Sequence, residues 1–225
     1  MNDTKKIIVA LDFDDIDTTF KFIDTLNPSL CRLKIGKELF TKYGPDIIRD
    51  IHTKGFEIFL DLKFHDIPTT VYKACISAFS LNVWMLNIHL SGGLEMVKSA
   101  VKAKNDCQSS SKLIGVTALT SLSDSDCSSV YGCTRIEQIK RLKDIGLSTN
   151  IDGFVCSPYD IKIINSNEKV YVTPGIRIDD NIDDHHKVTT PSKAIELGST
   201  YLVIGRSITC SQEPNKTLEN IIKDL

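Results

Sequence analysis

The strongest constraint on the fold is an alternation that repeats along the whole chain. Eight apolar runs rich in β-branched residues recur at steady intervals, at residues 7–12, 31–36, 56–62, 83–90, 112–119, 153–158, 169–176 and 201–208. Strands that are nearly continuously apolar are typical of a parallel sheet that is buried on both faces. The pattern therefore predicts eight buried parallel strands.

Helical periodicity fills most of the intervals between these runs. Apolar residues recur three and four positions apart in six stretches, 16–26, 38–55, 69–79, 93–103, 134–146 and 191–198. Two serine-rich segments, 107–112 and 121–129, are predicted to be loops. Eight strands that alternate with helices in 225 residues predict one (β/α)8 barrel, the TIM-barrel architecture, as a single domain over residues 1–225.

An open, doubly wound sheet is the competing architecture. It is disfavoured because the first strand-to-helix turn lacks a GxGxxG motif and because the strands number eight. No linker or shift in composition divides the chain either.

Charge and cysteine content restrict the partners and the compartment. The net charge of -2 gives no electrostatic footprint for nucleic acid or for a membrane surface, but it allows a local basic pocket for a small anion. Seven cysteines, an odd number without CxxC spacing, argue against a disulfide framework and against a zinc ribbon. The first strand follows Met1 too closely for a signal peptide, and no run reaches the roughly 20 apolar residues of a membrane span. We therefore expect a cytoplasmic protein.

The carboxyl ends of the predicted strands share a set of polar residues. In a (β/α)8 barrel the active site is built at this end, from the loops that follow the strands. We therefore expect the functional site among these residues. They are Asp12, Lys34, Asp61, Lys63, His89, Thr120, Ser157, Arg177 and Arg206.

The segment DLKFHDIPTT, residues 61–70, places three charges close together after the third strand. Alternation along a strand puts Asp61 and Lys63 on one face, and Asp66 follows one turn later. Lys34, on the neighbouring strand, would complete an alternating row in which each charge has a neighbour of opposite sign that keeps it ionised. The alternative is a set of solvated loop charges or ordinary strand-end ion pairs.

A second candidate region follows the seventh and eighth strands, where barrel enzymes commonly hold a phosphate. Gly205 permits close approach of the backbone, and Arg206 offers a bidentate guanidinium. The polar stretch between Ile176 and Pro191 lacks apolar periodicity and has the length of a lid, from which Arg177 would join Arg206. The alternative for both arginines is simple exposure to solvent.

The histidines outside this polar stretch are interpreted as structural. A histidine at a strand end, such as His89, is a candidate base or metal ligand, but no partner ligands occur at metal spacing. We therefore assign His89 no catalytic role, treat His52 and His65 in the same way, and predict no metal site.

Seven short motifs, in order along the chain, resemble one enzyme family. They are VALD, LKIG, DLKFHDIP, NIHLSGG, ALTS, TPGIR and VIGRSIT. DLKFHDIP is the specific motif, and the order and spacing of the other six strengthen the resemblance. Over almost its whole length the chain is similar to the orotidine 5'-phosphate decarboxylase family, in its short, bacterial-type monofunctional form.

The resemblance implies a homodimeric TIM barrel that converts orotidine 5'-phosphate to UMP and CO2 in de novo pyrimidine synthesis, without a cofactor. By this resemblance Lys63 is the expected proton donor to C6 of the pyrimidine. The ribose and the charge row would be bound or organised by Asp12, Lys34, Asp61 and Thr70.

The resemblance also implies an active site shared between two subunits. Asp66, Ile67 and Thr70 would reach the site of the partner subunit, and Thr120 would lie at the pyrimidine. The phosphate would be held by Arg177, Gly205 and Arg206.

One position departs from the family pattern. Family members usually carry a glutamine that bridges the phosphate and the base, and its position here is taken by His185 in the segment DHHKVTTP. A neutral imidazole has one donor and one acceptor, whereas the amide has two of each. We expect a weaker phosphate clasp that depends on pH near neutrality. A His185→Gln variant whose KM is the same across about pH 6 to 8 would count against this expectation.

Two other functions are compatible with the same barrel. Related sugar-phosphate decarboxylases and aldol-type enzymes share a D-x-K-x-x-D third strand and use Mg²⁺, which a glutamate on the second strand helps to hold. Here Lys34 occupies that strand, and an ammonium disfavours a cation site. A barrel that only binds a nucleotide is the other alternative, but it would have no need of a proton donor such as Lys63.

Overall fold

The computed structural model describes residues 5–178 and 189–225 of the chain. Its strands are β1 (Ile7–Leu11), β2 (Cys31–Ile35), β3 (Ile58–Phe64), β4 (Met85–His89), β5 (Lys112–Val116), β6 (Gly153–Val155), β7 (Val170–Ile176) and β8 (Tyr201–Ile204). The helices of the described residues are α1 (Ile16–Ile23), α2 (Lys37–Tyr43), α3 (Asp46–Thr53), α4 (Pro68–Phe79), α5 (Leu94–Asp106), α6 (Asp124–Tyr131), α7 (Arg135–Leu147), α8 (Ile161–Ile164), α9 (Pro191–Glu196), α10 (Arg206–Thr209) and α11 (Pro214–Lys223).

The strands form a closed barrel in sequence order, from β1 to β8. Each strand runs parallel to its neighbours, and β8 closes the barrel by pairing with β1. This confirms the predicted (β/α)8 barrel and excludes the open sheet. In such a barrel the carboxyl ends of all eight strands lie at one mouth.

Alternation along the strands separates the core into two layers. Side chains of one parity, such as Ile8, Phe59 and Val172, fill the barrel interior. Those of the other parity, such as Ile7 and Leu33, pack outward against the helices. Both layers are almost wholly buried, so each strand contributes apolar surface on both faces, as its continuous apolar sequence predicts.

The predicted helical stretch 38–55 consists of two helices. Gly44 ends α2 with a φ of 64°, a left-handed value that glycine adopts at little cost. Pro45 follows it and precedes α3. Proline cannot continue a helix because it lacks a backbone N–H, so the chain turns between α2 and α3.

The prediction that residues 121–129 form a loop is wrong. Helix α6 begins within this serine-rich segment, because Ser123 and Asp126 form a capping box that satisfies the first backbone N–H groups. The helix ends at Gly132, which has a left-handed conformation. Serine and aspartate disfavour helix interiors but favour helix starts, and composition alone does not separate the two effects.

Three further features of the described residues bear on the sequence predictions. Helix α11, which was not predicted, packs its apolar face into the core through Leu218 and Ile221. All seven cysteines are free thiols. No helix in the described part of the chain combines the length and the apolar character that crossing a bilayer requires.

Candidate active site

A row of alternating charges lies at the carboxyl ends of the first three strands. Lys34 Nζ is 3.2 Å from Asp12 Oδ1 and 3.5 Å from Asp61 Oδ2. Lys63 Nζ is 2.5 Å from Asp61 Oδ1. The structure thus brings together four of the side chains that the sequence places at strand ends.

The fold leaves room for this row. Gly36 directly follows β2, and a Cβ atom at this position would lie only 3.2 Å from Lys34 Nζ. A side chain at Gly36 would therefore displace the ammonium. The middle of the row is also shielded from water, because the side chains of Lys34 and Asp61 are only 11% and 12% exposed, whereas Asp12 at its end is 69% exposed.

The electrostatics of the row keep Asp61 ionised. Burial acts to raise the pKa of its carboxyl, but the positive charges of Lys34 and Lys63 oppose this effect. Hydrogen bonds from Lys63 and Asn87 act in the same direction as the two charges. The pKa of Asp61 therefore lies below its ordinary value, and the group is a carboxylate at neutral pH.

The backbone conformation that brings Lys63 next to Asp61 differs from the predicted one. Strict alternation would keep residues 61–63 extended, but the pairing of β3 with β4 shifts register between Leu60 and Phe64. Lys63 has a φ of 53°, a left-handed conformation that is uncommon for a residue with a side chain. The two charges share one side of the barrel because the backbone bends at Lys63.

Asn87 is a site residue that the sequence analysis missed. It lies on β4, is fully buried and accepts a hydrogen bond from the backbone N–H of Lys63 at 2.8 Å. Its Nδ2 donates to Asp61 Oδ1 at 2.6 Å. The available signal was an amide flanked by apolar residues in a predicted buried strand, since buried amides require hydrogen-bond partners.

The segment after β3 lies outside the row. Asp66 and Thr70 are exposed, and Ile67 is 64% exposed. Within the described residues Asp66 takes part in no ion pair, and its Oδ1 accepts the backbone N–H of Ile67 at 2.7 Å. In a single chain Asp66 is therefore not the fourth member of the predicted row; Asp12 occupies the end of the row instead.

The predicted phosphate region adjoins the charge row. A Cβ atom at Gly205 would lie 3.8 Å from Asp12 Oδ2, so the end of β8 is next to the end of β1. Arg206 begins α10 and is exposed. Arg177 is partly buried, and its backbone N–H donates to Thr189 O at 3.2 Å.

Two cavities accompany these groups. One, of about 340 Å³, has Asp12, Lys34, Asp61 and Lys63 in its wall. The other, of about 560 Å³, lies beside Arg206 on the outer side of the mouth. The smaller cavity is the better candidate for the reacting part of a ligand, because it contains the charge row.

The remaining candidates at the strand ends differ in their surroundings. Thr120 is exposed at the mouth after β5. The hydroxyl of Ser157 accepts the backbone N–H of Tyr159 at 3.4 Å and caps a short 3-10 turn. His185 lies outside the described residues, so the prediction made for it stays a prediction.

His89 has an environment that favours its neutral form. Burial lowers the pKa of His89 to about 4, and the nearby charges of His65 and Lys63 add to this effect. The ring centroids of His65 and His89 are 5.5 Å apart. Among the described residues no group of three or more histidine, cysteine or acidic side chains has the arrangement of a metal site.

Comparison with known proteins gives a consistent result. The sequence profile described as "Orotidine 5'-phosphate decarboxylase / HUMPS family" matches residues 5–221. The chain is 46% identical over 227 residues to an orotidine 5'-phosphate decarboxylase of Shewanella sediminis, covering 98% of this chain and 97% of that protein. It is 43% identical to the protein of the same name from Legionella pneumophila strain Paris, covering 99% and 100% of the two chains.

Solved structures agree with the sequence relatives. The crystal structure of orotidine 5'-phosphate decarboxylase from Lactobacillus acidophilus superposes with a TM-score of 0.86 at 35% identity, covering 98% of both chains. An uncharacterized conserved protein from Geobacillus kaustophilus superposes with a TM-score of 0.83 at 29% identity, covering 97% of this chain and 99% of that one. The likeness in sequence and in fold thus extends over nearly the whole chain.

Proposed function

The chain belongs to the orotidine 5'-phosphate decarboxylase / HUMPS family, and we propose that it decarboxylates orotidine 5'-phosphate to UMP and CO2 at the row of charges. The reaction belongs to pyrimidine nucleotide synthesis. The observation that supports the proposal most is the Lys63 ammonium, which lies against Asp61 beside Lys34 at the mouth of the barrel.

The chemistry requires a positive charge that is also a proton donor. The bond between C6 and the carboxylate carbon breaks, CO2 leaves, and the electron pair stays on C6. A proton from Lys63 then forms the C6–H bond of UMP, and the lysine regains a proton from water. An ammonium about 4 Å from the developing anion contributes on the order of 4 kcal/mol at an effective dielectric near 20.

The rest of the row holds this ammonium in place. Asp61, itself ionised, lies 2.5 Å from the Lys63 ammonium and attracts it. Lys34 lies between two carboxylates, Asp12 and Asp61, and balances their charge. Asp12 and Lys34 also present polar atoms to the smaller cavity, where they bind the ribose hydroxyls. Preorganised charges of this kind need no rearrangement when the anion develops.

Substrate binding extends from the row to the ends of β7 and β8. Arg206, the backbone at Gly205 and Arg177 bind the phosphate, and Thr120 contacts the pyrimidine. The phosphate is remote from C6, so its binding energy is available to hold the carboxylate of the substrate in an unfavourable position. His185 retains its predicted role at the phosphate.

The active enzyme is a homodimer in which each site uses residues of both subunits. Asp66, Ile67 and Thr70 support this proposal, because they follow the strand that carries Lys63 and are exposed, so that a partner subunit has access to them. In this arrangement Asp66 of one subunit approaches the Lys63 ammonium of the other.

We place the reaction in the cytoplasm, where reducing conditions keep thiols free. All seven cysteines are free, and burial raises the pKa of Cys31 to about 12, so that this thiol is unreactive. Free thiols recovered from the native enzyme by titration would support this compartment, and disulfides would contradict it.

Two alternative functions make different demands. A Mg²⁺-dependent sugar-phosphate lyase would need a cation beside the row, where the Lys34 ammonium repels it. A barrel that only binds nucleotides would not need a buried ammonium held by a carboxylate. The curated relatives reported above are named for the decarboxylase reaction.

Ultraviolet absorbance of orotidine 5'-phosphate tests the function directly. The purified wild-type chain should convert the substrate with multiple turnovers, and the rate should be the same in excess EDTA. A rate abolished by EDTA and restored by Mg²⁺ would favour the metal-dependent alternative. Binding without turnover would favour the nucleotide-binding alternative.

A further inference from the structure

Asn87 is a fully buried amide on the inner face of β4, where Met85 and His89 are its neighbours along the strand. It lies on β4 between Leu86 and Ile88, which are also fully buried. A side-chain amide in such surroundings is unfavourable unless its acceptor and its donors find partners. Its partners therefore indicate what the residue does.

Both ends of the amide bind the charge row. Asn87 Oδ1 accepts the backbone N–H of Lys63 at 2.8 Å, and Asn87 Nδ2 donates to Asp61 Oδ1 at 2.6 Å. The same Asp61 Oδ1 accepts from Lys63 Nζ at 2.5 Å. These three bonds form a closed ring, and only one orientation of the amide satisfies both of its own bonds.

The backbone of Lys63 needs this support. Between Leu60 and Phe64 the strand leaves the regular pairing with β4, and Lys63 takes a left-handed φ of 53°. Such a conformation is unfavourable for a residue with a side chain and persists only when its surroundings hold it. The N–H of Lys63 bonds to the side chain of Asn87, which replaces a bond of the strand ladder.

We infer that Asn87 is a positioning residue for the decarboxylation: it holds the backbone of Lys63 and the carboxylate of Asp61 so that the Lys63 ammonium points at C6. The inference rests on the proposed function, because the proton of Lys63 is what the positioning serves. Asn87 acts through Lys63 and Asp61, since its amide is already bonded to them.

Removal of the Asn87 amide should lower kcat but should leave the affinity for UMP nearly unchanged. Without Asn87 the backbone N–H of Lys63 loses its acceptor, and the segment is free to relax toward an extended strand. A displacement of a reacting group by about 1 Å costs roughly 10²-fold in rate. Binding of the ribose and phosphate is assigned to Asp12, Lys34 and Arg206. The hydrogen bonds of Asn87 go to Lys63 and Asp61 instead, so affinity for UMP should change little.

A second consequence is a shift in the pH profile. The groups that face Asp61 are Lys34 on β2, Lys63 on β3, and Asn87 and His89 on β4. Removal of the Asn87 donor takes away one of the interactions that favour the carboxylate. The acid limb of the kcat profile should therefore move to higher pH in Asn87→Ala.

The test compares Asn87→Ala and Asn87→Asp with the wild type and with a control, Thr173→Val. Asn87→Asp keeps the shape and the acceptor for Lys63 but replaces the donor by a negative oxygen that faces Asp61. Thr173 is also fully buried, and its hydroxyl bonds to Ser199 and Tyr201, away from the row. We measure kcat, KM, UMP affinity by calorimetry and the pH profile of kcat.

We expect kcat of both Asn87 variants to fall by at least about tenfold, and by roughly 10²-fold in the alanine variant. KM and the Kd for UMP should stay within about threefold, and the control should keep the wild-type kcat. The inference is overturned if kcat, calculated per UMP-binding site, is unchanged in the Asn87 variants. It is also overturned if both Asn87 variants lose UMP binding in proportion to a loss of folded protein, because Asn87 would then serve folding alone. If the wild type and the control show no turnover either, the proposed function has failed instead.

Discussion

At the scale of single residues, Lys63 combines an uncommon backbone conformation with a position at one end of the charge row, next to Asp61. Alternation in DLKFHDIPTT predicts that Lys63 and Asp61 share one face, but the two side chains meet because the backbone bends at Lys63. The left-handed φ was not predictable, because lysine rarely adopts it and nothing local favours it. The bend depends on Asn87, which is 24 positions away in the sequence. A contact between residues so far apart in the sequence cannot be predicted from the local sequence pattern around either residue.

His89 provides a prediction about stability and pH. Its pKa is about 4 in the folded chain, against 6.5 as the ordinary value, so between these limits the unfolded chain binds a proton that the folded chain does not. The free energy of unfolding therefore carries no penalty from His89 above pH 6.5, and it decreases as the pH falls from 6.5 toward 4.

A His89→Gln variant should lack this contribution to the pH dependence. We expect its free energy of unfolding to decline less steeply than that of the wild type between pH 6.5 and 4. Urea unfolding at several pH values measures the free energy of unfolding of both proteins. The carboxylates are the same in the two proteins, so their effects largely cancel when one curve is subtracted from the other. Parallel curves for the two proteins would contradict the neutral, buried state of His89.

Arg206 provides a prediction about substrate binding. If its guanidinium holds the phosphate, Arg206→Ala should lower kcat/KM for orotidine 5'-phosphate by about 10²-fold, because charge-assisted hydrogen bonds are lost. With orotidine, which has no phosphate, the variant and the wild type should be equal. Lys216→Ala, which removes another exposed cation, is the control. An equal loss on both substrates would remove Arg206 from the phosphate site.

At the scale of elements, periodicity predicted the strands well and the helix limits less well. All eight strands lie within or beside the predicted runs, because a continuously apolar strand has a clear sequence pattern. Helix α6 was missed because its sequence, DSDCSSVY, has weak helical propensity and its start depends on a capping box. A capping box depends on hydrogen bonds between a few atoms of two residues. The amino-acid composition of a whole segment does not reveal such bonds.

The capping box of α6 should contribute measurably to stability. We predict that Ser123→Ala lowers the free energy of unfolding by about 1 kcal/mol, because the backbone N–H of Asp126 loses its acceptor. Ser128→Ala is the matched control within the same helix, where alanine is favourable. Denaturant unfolding compares the two variants. Equal stability of both would show that the box contributes nothing to the fold.

At the scale of the whole molecule, the barrel brings charges from distant parts of the sequence to one mouth. The net charge of -2 conceals a local concentration of cations at that mouth, including Lys34, Lys63, Arg177 and Arg206. Topology alone predicts this, since all strand ends of a parallel barrel lie together. The proposed pairing of two subunits does not follow from this topology, because in the sequence Asp66 and Ile67 look like ordinary loop residues.

Mixing two inactive variants tests whether the sites are shared. Lys63→Ala and Asp66→Asn should each have low activity, but a heterodimer of the two has one site with both native residues. After equal mixing and exchange, half of the dimers are mixed, so about a quarter of the wild-type activity should return. Light scattering should show a dimer throughout. No recovery would mean that Asp66 acts in its own subunit, and wild-type activity of Asp66→Asn alone would mean that Asp66 has no role.

The most direct test of the central claim is the kcat of Lys63→Ala on orotidine 5'-phosphate, measured together with its affinity for UMP. The account predicts a loss of at least about 10³-fold in kcat, because both the cation and the proton donor are removed, while UMP still binds. Turnover within about tenfold of the wild type would contradict the role of Lys63 and with it the mechanism proposed for this barrel.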